Sequence, residues 1–199
     1  MNETIEYYNK YADSFINDTV NADLSTIQTD FLKYLPANSH ILDLGCGAGR
    51  DAKAFIAKGY TVTALDASKE LCKMASEFIG QKVICKRFED LDYKEEFAGV
   101  WACASLLHLK MDEISKVINK IQKALVVDGY LYASFKYGTK EEVRNGRYFT
   151  DLNEESFKKL LVGFENLVIV EMKITSDARK GRENEKWLNV VVKKVGAIR

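Results

Sequence analysis

The stretch Ile41-Leu42-Asp43-Leu44-Gly45-Cys46-Gly47-Ala48-Gly49-Arg50 decides the fold. Apolar positions run into an acid, three glycines then fall at alternate positions, and a helical pattern follows. This order predicts a buried parallel strand, a tight turn and a helix N-terminus. Glycine serves where the backbone takes unusual dihedrals or lies against a ligand with no Cβ between them. The helix that follows offers free N–H groups.

Two kinds of ligand suit such a turn. A dinucleotide site carries G-x-G-x-x-G and sets the pyrophosphate on the helix N-terminus. The spacing here is G-x-G-x-G, and Asp43 stands two residues before the first glycine. Its charge would repel a pyrophosphate and suits a cationic ligand. Outward along the chain, Tyr60-Thr61-Val62-Thr63-Ala64-Leu65-Asp66 reads as a second strand ending in an acid, 21 residues beyond Gly45. In a doubly wound sheet that carboxylate lies beside the first turn, where it can accept from both hydroxyls of a ribose. Ser68 is the N-cap of the next helix, through Leu71, Met74, Ala75 and Phe78, and Gly80 ends it.

The acid before G-x-G-x-G, the acid ending strand two and the acidic turn Arg87-Phe88-Glu89-Asp90 after strand three (82–86) together resemble the class I S-adenosylmethionine-dependent methyltransferases. The resemblance covers about residues 36–195. It implies a Rossmann-like α/β fold: a seven-stranded, mostly parallel sheet with an antiparallel last strand, helices on both faces and an N-terminal helical cap. The chain is then one domain, 1–199, with residues 1–35 as the cap and 36–195 as the core. The implied cofactor is S-adenosyl-L-methionine, leaving as S-adenosyl-L-homocysteine. Its implied binding residues are Tyr8, Asp43, Gly45, Cys46, Gly47, Arg50, Asp66, Ala67, Phe88, Glu89, Ala104 and Ser105. Asp90 rivals Glu89 for the adenine amino group. The run Tyr7-Tyr8-Asn9-Lys10-Tyr11-Ala12 is similar to the aromatic segment that closes over the cofactor in this superfamily.

Helical stripes over 4–17 and 24–35 precede the first strand, the second stopping before Pro36. Phe97–Ala104 is a fourth strand, apolar enough for the sheet centre. Ser105-Leu106-Leu107-His108-Leu109 follows it and, by resemblance, meets cofactor and acceptor. It lacks the Asn/Asp-Pro-Pro-aromatic tetrad of relatives that methylate exocyclic or amide nitrogens. His108 is either a general base near neutrality or a histidine hydrogen-bonded at the sheet edge. A strong helix over Met111–Leu125 and a fifth strand, 130–135, come next. Residues 136–151 lose periodicity and read as a long functional loop. Asn153 caps a further helix, and strands 167–174 and 187–193 close the chain around a polar loop, 175–186.

The loops 136–151 and 175–186 fall on one edge if the last strand is antiparallel. Arg144, Arg147, Arg179 and Arg182 are therefore expected over the transferred methyl, a set suited to bidentate capture of a carboxylate. A carboxylate needs no base at pH 7. The expected reaction is O-methylation of a small acid or a peptide C-terminus. Alternatives are a thiol- or soft-anion methyltransferase of the tellurite-resistance type, a transfer RNA methyltransferase, and a catalytically silent cofactor-binding subunit.

Composition sets bounds. The formal charge is zero, with 29 basic and 29 acidic residues, so no overall positive field attracts DNA or RNA. The opening Met1-Asn2-Glu3-Thr4 is no signal peptide, and no run approaches a membrane span. Cys46, Cys72, Cys85 and Cys103 form no C-x-x-C pair, so no metal site is expected, and reduced thiols in a cytoplasmic location are. Monomer and homodimer are both open.

Overall fold

A computed structural model describes residues 2–196; Met1 and residues 197–199 of the expected single domain lie outside the described residues. Three helices come first: α1 (Asn2–Lys10), α2 (Ala12–Thr19) and α3 (Ser25–Leu32). The predicted single helix over 4–17 is in fact two, because Tyr11 leaves helical geometry at φ −116°, ψ 27°. Alternation then begins: β1 (His40–Leu44), α4 (Arg50–Ala57), β2 (Thr61–Asp66), α5 (Lys69–Ile79), β3 (Ile84–Cys85), β4 (Phe97–Ala102), α6 (Met111–Ala124) and β5 (Leu125–Lys136). The chain closes with β6 (Glu141–Arg144), β7 (Arg147–Thr150), α7 (Glu154–Leu160), β8 (Leu167–Ser176) and β9 (Lys186–Lys194). Caps act where expected: Ser68 Oγ accepts from Leu71 N, Asn153 from Ser156 N, and Gly80 is left-handed at φ 74°.

The main sheet has the order β3-β2-β1-β4-β5-β9-β8. β1 pairs in parallel with β2 and β4, and β9 runs antiparallel to both β5 and β8. Strand order therefore reverses between β1 and β4, the place where open α/β sheets hold ligands beyond the strand carboxyl ends. Alternate residues face opposite layers. In β1, Leu42 and Leu44 join the core that includes Ile114, Ile118 and Phe157, while Ile41 joins the one that includes Phe31, Phe55 and Trp101.

Two further expectations change. Residues 136–151 are not a structureless loop. They fold into the β6–β7 hairpin, with Arg144 opposite Arg147. Its two turn residues are Asn145 (φ 50°) and Gly146 (φ 76°), and both central residues of a type I′ turn need positive φ. The third strand is shorter than 82–86, keeping only Ile84 and Cys85.

Candidate functional site

The glycine turn is built by backbone bonds to the second strand. Gly45 N and Cys46 N both donate to Leu65 O at 2.9 Å, and Gly47 N donates to Asp66 Oδ2 at 2.9 Å. Asp66 Oδ1 accepts from Ser68 N at 2.9 Å. Burial raises the Asp66 carboxyl, opposed by these N–H donors. The turn has no room for a side chain. A Cβ on Gly45 would lie 2.5 Å from Ser105 Cβ and 3.0 Å from Phe88 Cζ, and one on Gly47 would lie 3.0 Å from Phe15 Cε1.

Asp43 is the penultimate residue of β1, on the layer of Ile41, and it is 2% exposed. Its Oδ2 is buried without a partner, as is Ser105 Oγ. Burial, then the neighbouring Asp51 charge, push the Asp43 carboxyl well above the usual range, against Arg50 and the Ala52 N–H. A buried acid with an orphan oxygen beside a turn stripped of Cβ atoms fits a cationic, closely approaching ligand. S-adenosylmethionine, with its sulfonium and ammonium, matches that donor set.

Two cavities meet at this turn. The smaller, about 80 Å³, is lined by Asp66, Ala67, Ser68, Phe88 and Ser105 among others. The larger, about 390 Å³, runs from Cys46, Gly47 and Arg50 past Leu107 to Trp187 and Arg179. Tyr8, Phe15, Gly45, Gly47, Ala104 and His108 line both. Ala104 takes φ 51°, and its N–H donates to Ser134 Oγ at 2.8 Å. A non-glycine residue in this region carries strain of the kind concentrated at functional sites. Glu89 and Asp90 are exposed, and the Glu89 carboxylate meets the Arg87 guanidinium at 3.3 Å.

His108 has both ring nitrogens engaged. Nδ1 lies 2.7 Å from Tyr148 O and Nε2 lies 2.8 Å from Tyr8 Oη. A carbonyl only accepts, so Nδ1 carries the proton and Nε2 accepts from the Tyr8 hydroxyl. Desolvation, with Arg147 and Arg144 nearby, pushes the imidazole down to about 4. Burial chiefly raises the Tyr8 phenol, with Arg147 opposing.

The four arginines do not meet as a free clamp. Arg144 is turned onto Asp151, with Glu142 at 3.6 Å. Arg179 is held by Asp177 through Nε at 2.9 Å and Nη2 at 2.6 Å. Arg182 lies 3.9 Å from Glu185. Arg147 differs. Its guanidinium sits 4.7 Å from the Tyr7 ring centre, 5.3 Å from Phe149 and 5.8 Å from Tyr8. Nη1 reaches Tyr8 Oη at 3.4 Å, Nε is buried without a partner, and no ion pair forms among the described residues. Arg147, Arg179 and Arg182 line the larger cavity.

Several contributors escaped the sequence reading. Asp51 is bound by Gln28 Nε2 at 2.7 Å, Arg50 Nε and Nη2 at 2.8 Å each, and Trp101 Nε1 at 2.9 Å. It joins α3, α4 and β4 behind the glycine turn, and holds the Arg50 side chain away from the role of a free cation. Asp177 likewise gathers Lys136, Arg179 and Trp187 at the mouth of the larger cavity. Phe15 follows Tyr8 by seven residues, two helical turns, and that spacing was the available signal.

Residues 41–129 match a family model described as a methyltransferase domain. An uncharacterised methyltransferase of Staphylococcus carnosus is 25% identical over 182 residues, covering 83% of this chain and 86% of that protein. Among solved structures, the Burkholderia thailandensis 1,6-didemethyltoxoflavin N1-methyltransferase, crystallised with 1,6-didemethyltoxoflavin and S-adenosylhomocysteine, superposes with TM-score 0.78. It is 18% identical, covering 98% of this chain and 87% of its own. The [4+2]-cyclase SpnF, 14% identical, superposes with TM-score 0.73 over 97% of both chains, so the fold does not by itself name the chemistry. That strand order and the acid-led glycine turn of β1 coincide with the methyltransferase-domain match over residues 41–129, and over that stretch the chain is similar to the S-adenosylmethionine-dependent methyltransferases.

Proposed function

We propose that the protein transfers the methyl group of S-adenosylmethionine to an oxygen of a carboxylate, carried by a small acid or a peptide C-terminus. The observation that carries this is Arg147. It is the cation in the wall of the larger cavity with a buried, unpartnered Nε and no ion pair among the described residues. A half-buried guanidinium with an unsatisfied Nε and no counter-charge is costly, and an anionic acceptor would pair it. Arg144, Arg179 and Arg182 already face Asp151, Asp177 and Glu185, so the expected four-arginine clamp narrows to one residue.

The cofactor supplies a methyl already activated by a positive sulfur. Asp43 takes its cationic end, Asp66 its ribose hydroxyls, and Phe88 covers the adenine. Gly45, Cys46 and Gly47 let it approach the backbone, while Arg50, Ala67, Ala104 and Ser105 complete the walls. Glu89 or Asp90 would reach the adenine amino group only by turning inward from the surface. A carboxylate acceptor is ionised at neutral pH, which suits a site whose histidine is neutral with both nitrogens engaged. Phe15, Leu107 and Phe149 keep water from the junction of the cavities, and alignment there lowers the barrier. Residues 1–35 act as the cap of one catalytic unit.

The test is a panel of free acids and their amides incubated with the cofactor and followed by mass spectrometry. A base-labile added methyl on the acids alone is expected. Arg147→Ala should raise the acid's KM roughly 10- to 100-fold, the range of a charge-assisted pair, with cofactor affinity unchanged. Equal methylation of the amides, or an unmoved KM, overturns the proposal.

A further inference from the structure

We infer that Tyr8 is a catalytic residue: its phenol oxygen, with its proton held by His108, turns lone pairs to the junction of the two cavities and selects the positive sulfonium cofactor over its neutral thioether product. The inference rests on S-adenosylmethionine as cofactor but goes beyond the acceptor assignment.

An unconstrained phenol can present either its proton or its lone pairs. Here the choice is made two hydrogen bonds away, at the Tyr148 carbonyl. Tyr148 O accepts from His108 Nδ1 at 2.7 Å, so His108 Nε2 has only a lone pair to offer. The Tyr8 hydroxyl, 2.8 Å from Nε2, must donate to it. Every other direction around Tyr8 Oη then carries lone pairs. Arg147 Nη1, at 3.4 Å, takes one of them loosely. Tyr8 and His108 line both the Asp66 cavity and the larger cavity, and Arg147 lines the larger; the three residues joined at the Tyr8 oxygen thus stand where the two cavities meet.

Three contacts hold α1 to this task. Asn9 Oδ1 accepts from Ser68 Oγ at 2.8 Å, on the far side of Asp66. Thr4 Oγ1 accepts from Tyr148 N at 3.1 Å, next to the carbonyl that sets the imidazole. Phe15 packs edge-on against Tyr8 at 5.0 Å. His108 touches no reacting atom in this scheme and is a positioning residue. In the transfer, the acceptor oxygen bonds to the methyl carbon, the carbon–sulfur pair returns to sulfur, and no proton moves. Tyr8 keeps its hydrogen throughout. The positive charge that its oxygen favoured is gone once the product forms, which speeds product release.

The experiment measures the dissociation constants of S-adenosylmethionine and S-adenosylhomocysteine by calorimetry on the whole protein. Tyr8→Phe removes the oxygen and keeps the ring. It should weaken S-adenosylmethionine about 3- to 10-fold, the worth of one hydrogen-bond-scale contact, and leave S-adenosylhomocysteine unchanged. His108→Asn keeps a donor for Tyr148 O but no acceptor for Tyr8, so the preference should fall similarly although Tyr8 is intact. Nitrogen-15 NMR of the wild-type imidazole should show the Nδ1–H tautomer, a readout that needs no variant to fold. An unchanged ratio in Tyr8→Phe, or an Nε2–H tautomer, overturns the inference. A shifted ratio with no carboxylate methylated supports Tyr8 and sinks only the acceptor assignment; an unmoved ratio with acids methylated does the reverse.

Discussion

At the residue scale, buried ionisable groups govern how the site responds to pH. Asp43 stands protonated well above the ordinary carboxylate range because it is buried near Asp51. A cationic ligand needs the carboxylate form, so affinity rises as pH climbs through the raised pKa, and binding below it releases a proton. Calorimetry in buffers of differing ionisation enthalpy should register that release, and Asp43→Asn should abolish it and weaken binding. His108 works in the opposite sense. Its folded pKa of about 4 lies below the 6.5 of a free imidazole, so between those values the unfolded chain binds the extra proton. Stability is therefore complete above pH 6.5 and falls as pH drops toward 4, by up to roughly 3 kcal/mol. Urea melts at pH 7 and pH 5 should show the loss, and His108→Asn should flatten it.

At the element scale, the hub around Asp51 and the β6–β7 hairpin each carry a burden that no single strand or helix carries. Asp51 receives donors from α3, α4 and β4 while 7% exposed. Asp51→Ala strands the Arg50 charge and the Trp101 and Gln28 donors, so a loss of about 3–5 kcal/mol in denaturant unfolding is expected. The hairpin aims Arg147 through its Asn145-Gly146 turn. Gly146→Ala forces a Cβ into φ 76°, and that Cβ would also lie 3.2 Å from Tyr7 Cδ2. It should cost about 1–2 kcal/mol and raise the acceptor KM while leaving S-adenosylmethionine affinity near wild type. Steady-state kinetics with each ligand varied separates the two.

At the scale of the whole molecule, one arrangement joins the cap to the sheet. α1 touches α5 through Asn9 and Ser68 and the β6–β7 hairpin through Thr4 and Tyr148, while the described hydrophobic core begins at Ala12. Deleting residues 1–10 should therefore leave the melting temperature within a few degrees of the full chain and remove turnover, because Tyr8 leaves with the segment. Thermal melts and the methylation assay on the same sample check both halves. The neutral total charge gives the protein no long-range pull on polyanions, and no helix of the described residues is long and apolar enough to cross a membrane.

The sequence by itself determined the sheet and its ligand end. Acid, glycine spacing and period are local properties, and residues 41–66 express them without help from the rest of the chain. Helix caps at Ser68 and Asn153 were legible for the same reason, since a cap involves residues three apart. The hairpin at 141–150 was partly legible: Asn145-Gly146 is a turn signal, but the exposed, mostly charged strand Glu141–Arg144 hid the alternation. What only the tertiary structure decided is which charges are paired. Arg144, Arg147, Arg179 and Arg182 look alike in sequence, and the folded geometry of their own hairpin and loop turns three of them onto Asp151, Asp177 and Glu185 and leaves Arg147 without an ion pair among the described residues. The direction of the Tyr8 hydroxyl was likewise beyond the sequence, because it depends on His108, 100 positions away, and on a backbone carbonyl of a strand that pairs only once the chain has folded.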